Sequence, residues 1–114
     1  SFAADEMLPE IREALAQSDG EIDGIVAGSD LIALNAMSAL HEQGRRVPAD
    51  VQVIGFDDLP LAAMAVPPLS TIRQEIGTGA REMVSRLKAR IAGEEVACLS
   101  MPPQLVVRET TRKV

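Results

Sequence analysis

The sequence predicts an α/β protein with a parallel sheet flanked by helices. Three observations carry this expectation. Val51-Gln-Val-Ile-Gly-Phe-Asp-Asp58 is an apolar run that ends abruptly in two carboxylates. A buried parallel strand reads as just such a run. Residues 22–27 (Ile-Asp-Gly-Ile-Val-Ala) form a second short strand, and residues 31–43 between the two have helical spacing. A strand–helix–strand order makes a right-handed parallel crossover the default.

The remaining elements follow in order. Leu8, Ile11 and Leu15 recur at helical spacing, so residues 3–17 read as a helix. Pro9 belongs in or near its first turn, because deeper it would remove a needed N–H. Ser18-Asp19-Gly20 stops that helix. Gly28-Ser29-Asp30 closes the first strand, and either Ser29 or Asp30 can cap the next helix. That helix is apolar around most of its circumference. Leu31, Ile32, Ala33, Leu34, Ala36, Met37, Ala39 and Leu40 are broken only by Asn35 and Ser38 before His41. A helix with one buried face shows a polar side, so this one is expected to pack on the sheet and on a second partner. Gly44 ends it.

Residues 47–50 form a turn into the strand 51–55. The segment from Leu59 to Leu69 is too apolar for an ordinary surface loop, and something is expected to cover it. Pro67-Pro68 marks a rigid, extended connection to a short strand over 69–73. A second long helix spans 77–92, with a stripe of Ile76, Ala80, Met83, Val84, Leu87 and Ile91, and Gly93 after it. Two short strands, 98–101 and 105–108, flank Pro102-Pro103.

Composition narrows the function. The 114 residues suffice for one small domain, and a hydrophobic fraction of 46% is that of a globular chain. Eleven Lys plus Arg against 17 Asp plus Glu give a formal charge of −6. Phosphate binding needs a basic surface, so this chain by itself is a poor nucleic-acid binder. Arg108, Arg112 and Lys113 read as a solvated tail. The single Cys98 permits no intrachain disulfide, which fits a reducing cytoplasm. No signal-peptide pattern opens the chain, and no apolar run reaches the ~18 residues of a membrane helix. The chain starts with Ser1 and passes at once into a helix, so a longer protein is expected upstream.

Asp57 and Asp58 are the leading functional candidates. In open parallel sheets, ligands bind outside the carboxyl ends of the strands. One reading makes the pair a helix cap and a turn carboxylate. A second makes it a hydrogen-bond acceptor for a polar ligand. A third, a metal or general-acid pair, is disfavoured because adjacent strand residues point to opposite faces. Ser29 ends the preceding strand on the same edge, as a helix cap or a ligand residue. His41, the only histidine, reads as a surface residue near a helix end. Cys98 reads as a core residue of its strand. Gly77-Thr-Gly79 lacks the third glycine of a phosphate loop and is set aside. No triad, metal-ligand spacing or cofactor motif is present, so no catalytic residue, metal or cofactor is expected.

Several motifs resemble one family. Gly28-Ser-Asp-Leu-Ile-Ala-Leu34, Gly44 through Asp58, Pro67-Pro-Leu-Ser-Thr-Ile-Arg-Gln74 and Leu105-Val-Val-Arg-Glu109 are similar, in order and spacing, to the lactose/galactose repressor family of bacterial transcription regulators. The resemblance runs from about Ile22 to Glu109. It implies the C-terminal part of an effector-binding core with the type I periplasmic-binding-protein-like fold. That core has two α/β subdomains around a small molecule. On this resemblance, residues 1–68 and 95–114 belong mostly to the second subdomain and about 69–94 cross into the first, so the two-subdomain core is incomplete. The helix-turn-helix domain that would bind DNA is absent.

The resemblance implies specific roles. Asp57 matches an aspartate that hydrogen-bonds the effector, and Gln74 matches a crossover residue near the pocket. Ser29 stands where an asparagine often binds ligand, a departure that implies a different effector. Asn35 replaces a common glycine, a matter of helix packing. Asp58 braces the loop. Leu34, Met37, Leu61, Met64 and Val66 fall at the family's homodimer interface, where the over-apolar helix already asked for a partner. The implied function is cytoplasmic, non-enzymatic sensing of a sugar or sugar-like metabolite. The alternative is a periplasmic sugar-binding protein of a transporter. A carboxylate-dependent hydrolase is a third class, and no feature asks for it.

Overall fold

Strand β2 (Gln52–Phe56) lies between β1 (Gly24–Val26) and β3 (Ser70–Arg73), parallel to both, and β4 (Gln104–Val106) lies beyond β3. This computed structural model describes residues 4–18, 21–98 and 100–112. The register pairs Val26 with Ile54, Ile54 with Ser70, and Phe56 with Ile72. Parallel pairing brings the carboxyl ends of β1, β2 and β3 to one edge. β2 alternates as its strand pattern demands, with Val53 and Gly55 buried and their neighbours half-buried.

Helix α1 (Ala4–Gln17) packs on α2 (Asp30–Glu42), and α2 packs on β2. The fully buried Ala33 and Ala39 let α2 approach closely, and Leu40, Val51, Val53 and Leu69 fill the space around them. The second partner expected for α2 is thus supplied in part by α1. Leu8 and Ile11 lean on the core and Leu15 enters it. Pro9 sits inside α1, past the first turn where it was expected. One intrahelical bond is forgone there, and burial of the apolar stripe on α2 sustains the helix across it. Asp19 and Gly20 lie outside the described residues.

The connection after β2 holds a helix the sequence reading missed, α3 (Pro60–Met64), with a proline in its first turn. Five residues are too few to show a helical period. Ala62 and Leu69 are fully buried, whereas Leu61, Met64 and Val66 of the same segment are exposed. The chain then bends at residues 65–67 instead of running extended, and Val47–Pro48 and Val66–Pro67 are cis. Gly44 and Gly93, both at positive φ, follow the ends of α2 and α4 (Ile76–Ile91).

The chain divides into two compact units. The first runs to Arg73 and resumes at Leu105, and the second spans Gln74–Gln104. In the second unit α4 buries none of its residues, and Ile76, Met83, Val84, Leu87 and Ile91 are exposed. The strand expected over 98–101 is not formed among the described residues, and Leu99 lies outside them. Cys98 is exposed, not a core residue, because the described residues of the second unit include no buried layer to receive it. Among the described residues, no helix is long and apolar enough to cross a membrane.

The C-terminal segment closes the first unit. Thr110 is fully buried; its hydroxyl donates to Val53 O at 2.6 Å and accepts from Ser70 N–H at 2.8 Å. Val53 N–H donates to Thr110 O in return. Arg108 and Arg112 therefore do not belong to a solvated tail. Arg112 bonds Gln52 and Pro48, and Arg108 donates to Leu69 O. Lys113 lies outside the described residues.

The tightest point is Gly55, where an added Cβ would lie 2.3 Å from Asp30 Oδ1 and 2.9 Å from Leu69 Cδ2. Gly55→Ala is expected to lower the unfolding free energy by about 1–3 kcal/mol in urea titrations. In an Asp30→Ala background the same substitution should cost measurably less, because the clashing oxygen is gone. Equal costs in both backgrounds would refute the close approach.

Candidate functional site

The carboxyl edge of the sheet is organised by Asp30. It is fully buried in the first turn of α2, where the helix dipole favours an anion. Its Oδ1 accepts from the Thr71 hydroxyl at 2.6 Å, and its Oδ2 accepts from Leu59 N–H at 2.6 Å. Ser29, not Asp30, caps the helix, with extended backbone and its Oγ accepting from Ile32 N–H at 3.2 Å. This is the cap reading of Ser29. Its own hydroxyl proton is still available as a donor, which is all that remains of the group an asparagine would present.

Asp57 and Asp58 lie past the end of β2 and both have positive φ, at 105° and 56°. Such backbone costs about 1–3 kcal/mol per residue and persists only where the surroundings impose it. Here three consecutive N–H groups are bound. Asp57 donates to Ile72 O at 2.9 Å, Asp58 to Thr71 Oγ1 at 3.3 Å, and Leu59 to Asp30 Oδ2. The turn is therefore stitched to β3 and α2 at every residue.

The two side chains have different fates. Asp57 is exposed at the edge. Asp58 is drawn in, and Arg73 Nη2 approaches its Oδ2 at 2.7 Å while Arg108 Nη2 approaches its Oδ1 at 2.8 Å. The expected brace is what Asp58 forms. Sequence reasoning missed Arg73 and Arg108 as its partners, and missed Asp30 as the anchor. Only the pairing of β2 with β3 and the return of the chain after β4 bring these groups together. Gln74, the third candidate, follows β3 directly and is an exposed residue of the second unit. Among the described residues no group of three or more His, Cys, Asp or Glu could hold a metal ion. The arrangement thus offers an exposed hydrogen-bond acceptor on an immobilised turn.

A second feature lies on the outer side of α2. A groove of about 760 Å³ is lined by Leu34, Met37, His41, Val47, Ala65 and Pro67, among others. Val66, in the same lining, is 94% exposed, and of the residues preceding it Met64 is 75% and Leu61 about half exposed. Met37 is 8% exposed, so it forms the floor of the groove and does not project. His41 is exposed in the last turn of α2, as expected.

Burial pushes the Asp58 carboxyl up, but hydrogen bonds and charge from Arg108 and Arg73 outweigh it and hold it below the ordinary 3.8. A folded-state value below the unfolded one stabilises the fold above the unfolded value, and this is lost as pH falls through the folded value. Asp50 is lowered as well, chiefly by its hydrogen bond from Arg46. The difference between wild type and Asp58→Asn isolates Asp58. Urea unfolding is expected to show wild type more stable at pH 6, with the gap narrowing below about pH 3.8. A gap constant down to pH 2 would refute the ion-pair assignment.

This geometry has clear parallels. Residues 2–111 match the family model described as a periplasmic binding protein-like domain. The chain is 38% identical over 106 residues to a ribose operon repressor of Halalkalibacterium halodurans, covering 90% of this chain and 31% of that protein. Among solved structures it resembles a complex of the transcriptional regulator CelR with cellobiose (TM-score 0.82, 38% identity, 96% of this chain and 34% of that one). It also resembles the lac repressor dimer bound to operator and the anti-inducer ONPF (TM-score 0.84, 32% identity, 97% and 39%). The chain thus spans about a third of the length of these relatives. It belongs to the periplasmic binding protein-like domain family, and within that family to the LacI-type branch.

Proposed function

We propose that this chain is the C-terminal part of the effector-sensing and dimerisation core of a LacI-type transcriptional regulator. It works as a binding module in the cytoplasm, not as an enzyme. The observation that carries the reading is the exposed Asp57 carboxylate on its stitched, positive-φ turn at the carboxyl edge of the sheet. A carboxylate there accepts hydrogen bonds from vicinal hydroxyls, the recurring group of sugars. The relatives bound to cellobiose or named for a ribose operon make a sugar the first ligand class to test. Ser29 would add a hydroxyl donor, and Gln74 would contribute an amide. DNA would be bound only by a helix-turn-helix elsewhere in the complete polypeptide. Ligand binding would act on it through a difference in affinity between two states of the core.

The homodimer belongs to the same proposal. Val66 lines the groove with Leu34 and Met37, and the exposed Leu61 and Met64 precede it in the chain. A groove with exposed apolar side chains at and near it is a patch that a two-fold interface would cover. Burying each such side chain is worth about 1.5–3 kcal/mol. A transporter's periplasmic sugar-binding protein, which would share the matched family, would instead be a monomer.

Two measurements test these readings on the full-length polypeptide. Thermal-shift screening against cellobiose, lactose, ribose, sugar phosphates, nucleosides and purines is expected to give a stabilising ligand. Asp57→Ala should weaken it by about 10- to 100-fold, and Ser29→Ala and Gln74→Ala by less. Unaltered binding in Asp57→Ala would remove Asp57 from the site. In sedimentation experiments, Val66→Asp with Met64→Asp should shift a dimer to monomer, and a dimer that persists unchanged would exclude this face.

A further inference from the structure

We propose that Asp58 is the positioning residue of this site, holding the turn that presents Asp57 by clamping Arg73 and Arg108 on one carboxylate. The proposal rests on the reading of Asp57 as the effector ligand.

The geometry is that of a clamp with two unequal arms. Arg73 donates from Nε at 2.8 Å and approaches with Nη2 at 2.7 Å, both onto Asp58 Oδ2, while Arg108 Nη2 meets Oδ1 at 2.8 Å. The Arg108 side chain is 18% exposed, and its Nη1 also donates to Leu69 O at 2.9 Å. Its backbone N–H donates to Ser70 Oγ at 2.8 Å. This arm is anchored to β3 independently of Asp58. Arg73 is the more exposed arm, at 45%. Both oxygens of Asp58 are engaged by guanidinium groups, so the two adjacent carboxylates divide the work. One faces outward and the other is committed to the protein.

The position of the arms along the chain gives the clamp its significance. Arg73 is the last residue of the first unit before the chain leaves it, and Arg108 comes three residues after the chain returns at Leu105. The backbone bonds of the turn reach Ile72, Thr71 and Asp30. Among the described residues, the Asp58 side chain is what links the turn to the returning segment, through Arg108. Asp58 therefore ties Asp57 to both connections at once, and the direction of the Asp57 carboxylate depends on whether both arms are in place.

Asp58→Asn is the discriminating variant. Asn tolerates positive φ as Asp does, so the backbone preference is kept while the charge is removed. Hydrogen exchange is measured at single amides of the full-length polypeptide, and affinity is measured for the sugar found by the thermal-shift panel. The expected result is about tenfold weaker binding and an exchange rate at the Asp57 N–H that rises about tenfold more than that at the Val53 N–H, whose change reports the global loss of stability. Arg108→Lys, which keeps the charge but loses the fork, should fall between wild type and Asp58→Asn. Exchange at Asp57 that rises no more than that at Val53 in Asp58→Asn overturns the proposal, as does faster exchange with unaltered affinity. Should wild type bind nothing in the panel, the effector reading fails by itself, and the exchange result alone decides the clamp. Should Asp58→Asn fail to fold, Arg73→Gln at the more exposed arm is read by the same criteria.

Discussion

The buried carboxylate of Asp30 joins three stretches of chain that are remote in sequence. It starts α2, receives the Thr71 hydroxyl from β3, and receives the Leu59 N–H from the turn after β2. A charge out of water is tolerable only when its hydrogen bonds are complete. All three stretches must therefore be in place together, and the loss of any one strands the others. Gly55 follows from the same constraint, since a side chain there would occupy the space that Asp30 Oδ1 fills. So does the turn carrying Asp57, which needs the Leu59 bond to hold its positive φ.

Three aspartates within one edge thus serve three ends, and environment alone separates them. Asp30 is buried and structural. Asp58 is held by two guanidinium groups, and its charge is favoured by them. Asp57 has its backbone bound and its side chain exposed, so its hydrogen-bonding capacity is available for a ligand. Specific recognition of a polar molecule requires acceptors that do not reorganise on binding. The stitched turn meets that requirement with backbone bonds, which leave the side chain unspent.

The apolar surface of the first unit has a comparable logic. The inner side of α2 is lined by alanines and Leu40 against the sheet, while its outer side carries a groove that the exposed Val66 also lines, with the exposed Met64 preceding it in the chain. Exposed apolar side chains scattered singly need no explanation. A groove and exposed apolar side chains grouped in one region do, and the proposed second copy of the chain would account for them.

The sequence by itself determined the order and kind of most elements. Apolar runs and helical spacing located β1, α2, β2, β3 and α4 to within a few residues, because these signals are local and repeat within each element. They also put Asp57 at the end of a buried strand, and the family resemblance implied Asp58 as a brace. The family motifs added expected roles for Ser29, Gln74 and the outer face of α2. What the sequence did not determine is what depends on distant chain. Pro9 survives past the first turn of α1 because α2 lies beneath it. Cys98 is exposed because none of the described residues of the second unit forms a buried layer over it. Arg108 looked like part of a solvated tail until the return after β4 delivered it to Asp58, and Asp30 looked like a cap until β3 brought Thr71, 41 residues away, to its carboxylate. Periodicity reports which residues share a face. Only the tertiary structure decides which charge meets which partner, because those bonds form between segments whose spacing in the chain carries no trace of the contact.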